Sequence, residues 1–130
     1  MAVQINWLNA SASWGKQVAE NPDTSADALI ALSTHADIEV RTAVAEHRTT
    51  PLKTVMSLAC DSSPDLRYAM SENHNIHKDV LNLLADDDNP FVAHRARKTL
   101  ERLKAVSNMP SVLNPKPFIM VQSMRRLASP

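Results

Sequence analysis

The chain of 130 residues is 44% apolar, enough to bury one sizeable core, and its one cysteine, Cys60, excludes an internal disulfide and fits a reducing cytoplasm. With one glycine, Gly15, it cannot build glycine-rich phosphate loops or a nucleophile elbow, and no apolar run approaches the roughly 18 residues of a membrane span. A net charge of zero hides a division: residues 1–92 carry −7 (13 acids, 6 bases) and residues 93–130 carry +7 (8 bases against Glu101), an asymmetry able to steer a partner.

The N-terminus lacks a basic region followed by an apolar run, so no signal peptide is expected. Val3 and Trp7 read as remnants of a leading helix that caps the first pair. Ser11, Asp37, Ser63 and Asn89 then recur as good N-cap residues, with Pro64 and Pro90 at the first helical position, where a missing N–H costs nothing. They predict A helices over 12–20, 38–46, 64–72 and 90–103. Thr24 and Thr50 read as caps of intervening B helices, with Ser25 and Pro51 next and Asp27 completing a capping-box pattern after Thr24. The B helices are expected over 25–34, 51–60 and 77–86. Ile76 cannot cap the third of them, so Asn75 is expected to take over with a one-residue shift.

Shifting the chain by 26 residues keeps apolar columns in register. Trp14, Val40, Leu66 and Val92 form one; Val18, Val44, Met70 and Ala96 a second. Leu29, Val55 and Leu81 form a third, and Leu32, Leu58 and Leu84 a fourth. Glu20, Glu46 and Glu72 are identical, and Arg41 aligns with Arg67. Helices of nine or ten residues are marginal alone and must bury a face against neighbours. Stacking pairs at a fixed period meets that need and predicts an all-α solenoid of about three and a half two-helix repeats over residues 1–106, followed by a tail over 107–130.

"LACDSSPDLRYAMSEN" and "VRTAVAEHRTTPLKTVMSLACD" resemble the leucine-rich repeat variant, a bacterial relative of HEAT and armadillo repeats. Val40, Arg41, Val44, Ala45, Thr50, Pro51, Leu58, Ala59 and Asp61 match its pattern in the second unit; Val18, Ala19, Asn21 and Pro22 match in the first. The resemblance covers about residues 12–103 and implies a right-handed, HEAT-like superhelix used for binding. This chain departs from the pattern in its slightly long period and in Arg48 and His74, where the family has proline. A family member carries a cysteine-rich iron–sulfur segment, which one cysteine cannot supply.

Asp61 and Arg67 have the six-residue spacing at which HEAT-like repeats form ion-pair ladders. That ladder is the favoured reading; projection of Arg41 and Arg67 to a partner is the other. Glu20, Glu46 and Glu72 would stack as a carboxylate row, either a solvated helix end or a receiver for a basic peptide. Asp86, Asp87 and Asp88 lack the spaced oxygens of a calcium loop and read as a turn into Asn89-Pro90. His47, His74 and His77 complete no zinc set. Cys60, within "VMSLAC", is expected to be a small packed residue. No nucleophile–base pair stands out, so a binding protein without catalytic residues, cofactor or metal is expected.

The last helix differs in kind. Arg95, Lys98 and Arg102 fall near one face, flanked by Arg97 and Lys104, and read either as a soluble end cap or as phosphate contacts for nucleic acid. In the tail, "FIMVQSMRRLA" carries Phe118, Ile119, Val121 and Met124 ahead of Arg125 and Arg126, an apolar-basic segment suited to docking on its own acidic repeats, the favoured reading, or on another copy, a partner or a membrane surface. The expected function is a cytoplasmic protein-interaction or adaptor module that binds a protein or peptide along the stacked helix face, the tail gating that face or mediating self-association. Nucleic-acid binding by the last helix is the alternative. A HEAT-like DNA-repair enzyme ranks third, because the chain is short and no acid or base is placed for it.

Overall fold

The computed structural model describes residues 11–109. It is all-helical: α1 (Ala12–Glu20), α2 (Ala26–Leu32), α3 (Ile38–Glu46), α4 (Leu52–Leu58), α5 (Pro64–Glu72), α6 (Lys78–Leu84) and α7 (Pro90–Ser107), with no strand among the described residues. The odd-numbered helices begin at residues 12, 38, 64 and 90 and the even-numbered ones at 26, 52 and 78, so both series advance in steps of 26. Local chemistry sets the odd starts. Ser11 Oγ accepts the Trp14 N–H, Asp37 accepts that of Glu39, and Asn89 accepts those of Phe91 and Val92. Ser63 makes no such bond, and there Pro64 opens the helix with its fixed φ.

The even-numbered helices begin differently from the sequence expectation. Ser25 caps α2 through its Oγ and the Ala28 N–H, while Pro51 precedes α4 with no side-chain bond. Thr24 and Thr50 are already committed: their hydroxyls donate to the carbonyls of Val18 and Val44, in the last turns of α1 and α3. Each of those carbonyls also accepts the N–H of its helix's C-cap residue, Asn21 or His47, at 3.2 Å, so the hydroxyls add a second bond that closes the preceding helix instead of opening the next. The third unit keeps its register, correcting the expected shift to Asn75. His77 caps α6, its Nδ1 accepting the Asp79 N–H at 3.2 Å, while the Asn75 N–H turns back to Asn73 Oδ1. Ile76, in the threonine column, is buried. A carbonyl at the end of α5, that of Ser71, is satisfied by Thr99 Oγ1 of α7 at 2.6 Å.

The odd-numbered helices pack in series, α1 on α3, α3 on α5 and α5 on α7. Of the short helices, α2 sits against α1 and α3, α4 against α3, and α6 against α5 and α7. The core is the set of apolar columns: Val40, Leu66 and Val92; Val44, Met70 and Ala96; Leu29, Val55 and Leu81; Leu32, Leu58 and Leu84 are all buried. Trp14 departs from its column and is 40% exposed. Val40 fills this position by packing on the preceding odd helix, its methyls lying 3.3 and 3.4 Å from where a Cβ on Gly15 of α1 would stand. Among the described residues α1 has no such helix before it.

Two further expectations are corrected. The even helices span seven residues rather than ten, and α7 runs on to Ser107, beyond residue 103, because no turn-forming residue interrupts it before Asn108. Cys60 is exposed: buried Ala59 is the C-cap of α4, and Cys60 falls in the turn beyond it. Val3, Trp7 and the tail residues Phe118, Ile119, Val121, Met124, Arg125 and Arg126 lie outside the described residues.

Candidate interaction surface

Arg41 and Arg67 act inside the fold. Arg41 Nε lies 2.9 Å from Asp61 Oδ2 and its Nη2 3.2 Å from Oδ1, while Nη1 donates to the carbonyls of His35 and Ala36. Arg67 repeats this with Asp87, at 2.8 and 3.3 Å, and its Nη1 donates to the Asp61 carbonyl at 2.6 Å. The six-residue relation between Asp61 and Arg67 therefore runs through the backbone carbonyl, and the carboxylate pairs lie 20 residues apart. Each guanidinium clamps the turn before its own helix to the turn after the next one. Asp61 and Asp87 add a second constraint by accepting the N–H groups of Ser63 and Asn89. Both arginine side chains are only 16% exposed, which leaves little of either guanidinium for a partner.

Glu20, Glu46 and Glu72 are the last residues of α1, α3 and α5, and all three are exposed. Packing of the odd helices sets them over shared grooves. Glu20 and Glu46 line one groove with Ile38 and Ala43, and Glu46 and Glu72 line another with Ala69 and Asn73. Alanine at positions 43 and 69 keeps the floor low between the carboxylates. Glu72 has a loose partner in Arg95, at 3.6 Å; Glu20 and Glu46 have no ion pair among the described residues.

A third groove at the same end has one apolar wall. Leu52, Val55 and Ile76 line it together with Glu46, His47, Arg48 and Asn73, and Leu52 is 44% exposed. His47 shapes its edge. Its Nδ1 accepts the Thr49 N–H at 3.1 Å, so its Nε2 carries the proton and donates to the Asn21 carbonyl at 2.8 Å. This tautomer follows from the hydrogen-bond network. The Thr49 hydroxyl also reaches Nδ1, at 2.9 Å, in the same turn-closing geometry. His47 and His77 line this groove and His74 the one beside it; no group of three metal-ligating side chains occurs among the described residues.

On α7 the row changes sign, for Lys98 takes the position of the three glutamates. Arg95, Lys98 and Arg102 share one side of that helix. Arg95 is half-buried, with an Nε that has no hydrogen-bond partner; Lys98 lies 3.6 Å from Glu101, and Arg102 is exposed. The sequence reading missed this reversal, although the same 26-residue step discloses it. It also missed the exposed aromatics Phe91 (76%) and Tyr68 (38%). Phe91 was legible as an apolar residue in a column otherwise held by Ser13, Glu39 and Asp65.

No helix among the described residues is long and apolar enough to cross a membrane. No family model matches the chain, and no curated protein and no solved structure matches it either.

Proposed function

We propose that the chain is a HEAT-like α-solenoid that works without catalysis, as a cytoplasmic interaction module binding a protein or peptide along the exposed side of its odd-numbered helices. One observation carries the reading: Glu20, Glu46 and Glu72 stand at equivalent ends of three helices packed in series, over grooves with alanine floors. Such a row offers an extended basic segment repeated charge contacts, which supply specificity and association rate more than raw affinity. The clamps of Arg41 and Arg67 hold the helix pairs in fixed register, so the row is organised before a partner arrives.

A second reading rests on α7. Its exposed Lys98 and Arg102, with Arg97 and Lys104, can contact phosphates, so nucleic acid is the alternative partner. Capture from a native lysate by the full chain, compared with an E20K/E46K/E72K chain at low and high salt, separates the two. The proposal expects a protein that the wild type retains and the charge-reversed chain loses. Nucleic acid that both chains retain at low salt and release at high salt would replace it with the second reading.

A further inference from the structure

We infer that the groove between the second and third helix pairs is the seat of the chain's own segment Phe118–Arg126. The inference rests on the proposed reading of the acidic surface and specifies its regulation. Two adjoining cavities of about 500 and 490 Å³ share Glu46, Asn73 and Asn75 and so form one groove at the carboxyl ends of α3 and α5. Its halves differ in chemistry. One half carries the carboxylates of Glu46 and Glu72; the other is walled by Leu52, Val55 and Ile76, with His47, Arg48 and His77 also on its lining. An occupant with apolar side chains and positive charge within one short stretch can use the apolar wall and the Glu46 carboxylate together. "FIMVQSMRR" has that composition, with Phe118 to Met124 ahead of the paired Arg125 and Arg126.

Reach and charge agree with this assignment. The odd-numbered helices pack in series and end in the glutamate row, so α7 delivers the chain to the groove's end of the molecule. Ser107 lies nine residues beyond Lys98, the counterpart of Glu72, which is about 13 Å along the helix. Crossing from α7 to α3 covers two helix spacings, roughly 20 Å. The required path of about 24 Å is within the roughly 30 Å that nine extended residues, 109–117, can span. The segment carries +2; of the groove's two glutamates Glu46 has no ion pair among the described residues, while Glu72 lies 3.6 Å from Arg95 and Arg48 adds one positive charge to the lining.

Docking on the same chain makes the segment a competitor for any basic partner. A short linker gives an effective concentration on the order of millimolar, so even a segment of ~0.1 mM affinity would weaken a competing ligand about tenfold. The test uses full-length chains and a fluorescein-labelled synthetic peptide of residues 116–128, read by fluorescence anisotropy at low salt. The expected result is that R125E/R126E binds the peptide about tenfold more tightly than wild type, and that adding E46Q/E72Q removes the gain. All four positions lie at exposed or tail residues, and circular dichroism checks that each variant keeps its helices. Equal binding by wild type and R125E/R126E overturns the inference while leaving the acidic surface as a receptor. Binding by neither chain also overturns it, and the lysate comparison with E20K/E46K/E72K then decides the wider reading separately. Sedimentation that shows a concentration-dependent dimer, abolished by R125E/R126E, overturns it by making the occupant a second copy.

Discussion

Arg41 and Asp61, 20 residues apart, form a two-bonded pair at 2.9 and 3.2 Å, and the same guanidinium holds the carbonyl of His35 at 2.8 Å. Side-chain exposures of 16% and 12% keep the pair out of bulk water, and Arg67 with Asp87 is slightly more enclosed, at 16% and 8%. Removing one partner leaves a shielded charge and two or three unsatisfied groups, a loss that costs about 3 kcal/mol where burial is high. Arg67→Ala is expected to lose roughly 2–3 kcal/mol in urea unfolding, with Arg41→Ala close behind. Lys16→Ala, which breaks a 3.6 Å contact between side chains 43% and 70% exposed, should change stability by less than ~0.5 kcal/mol. Equal losses in all three variants would show that the clamp adds nothing beyond a surface ion pair.

Thr50 tests the other device that joins consecutive helices. Its buried hydroxyl donates to the Val44 carbonyl at 2.6 Å, closing the end of α3. Thr50→Val keeps shape and apolar burial but leaves that carbonyl with the His47 N–H alone, at 3.2 Å, at an expected cost of about 1 kcal/mol with an unchanged denaturant slope. Thr50→Ser retains the hydroxyl and should cost less than half as much. A Val variant as stable as wild type would mean that the His47 N–H alone satisfies the carbonyl.

Helix order and core columns were legible because each rests on a local rule repeated at a fixed step. Cap chemistry at Ser11, Asp37 and Asn89 and apolar spacing within each helix needed no knowledge of the rest of the chain. The errors arise where one residue chooses between two neighbours. Thr24 and Thr50 are equally good at opening α2 and α4 or closing α1 and α3, and only the packed geometry decides. Likewise, spacing alone offers Asp61 both Arg41 and Arg67, and it is the fold of α3 and α4 that returns residue 61 to residue 41. The glutamate row was visible as a column; the apolar half of its groove was not, since Leu52 and Ile76 meet only across two helix pairs.

Gly15 occupies the column of Arg41 and Arg67, and the difference is steric. A Cβ there would stand 3.3 and 3.4 Å from the methyls of Val40 and 3.6 Å from Leu32 Cδ2, and both neighbours are fully buried. Alanine gains up to ~1 kcal/mol of helix propensity but presses on a β-branched side chain with little freedom to move. Gly15→Ala is therefore expected to shift stability by less than ~0.5 kcal/mol in either direction. Gly15→Arg, which restores the residue found in the next two units, should cost ~2 kcal/mol or more, because the side chain must be accommodated against Val40 and Leu32. A stabilising Gly15→Arg in thermal unfolding would refute this packing.

Cys60 gives the quickest check on where the fourth helix ends. The stretch "VMSLAC" reads as one apolar run that would bury the thiol, yet Ala59 takes the last buried place and Cys60 falls in the exposed turn. Its amide donates to the Ser57 carbonyl at 3.0 Å, so the turn is held by backbone whatever the side chain does. A disulfide-exchange reagent should therefore titrate one thiol per chain in native buffer, at a rate that denaturant raises only modestly. Cys60→Ser should leave stability within ~0.5 kcal/mol of wild type, as expected of a surface substitution. A thiol that reacts only after unfolding would extend α4 by a further turn and carry Asp61 out of reach of Arg41, so the same reagent also tests the clamp.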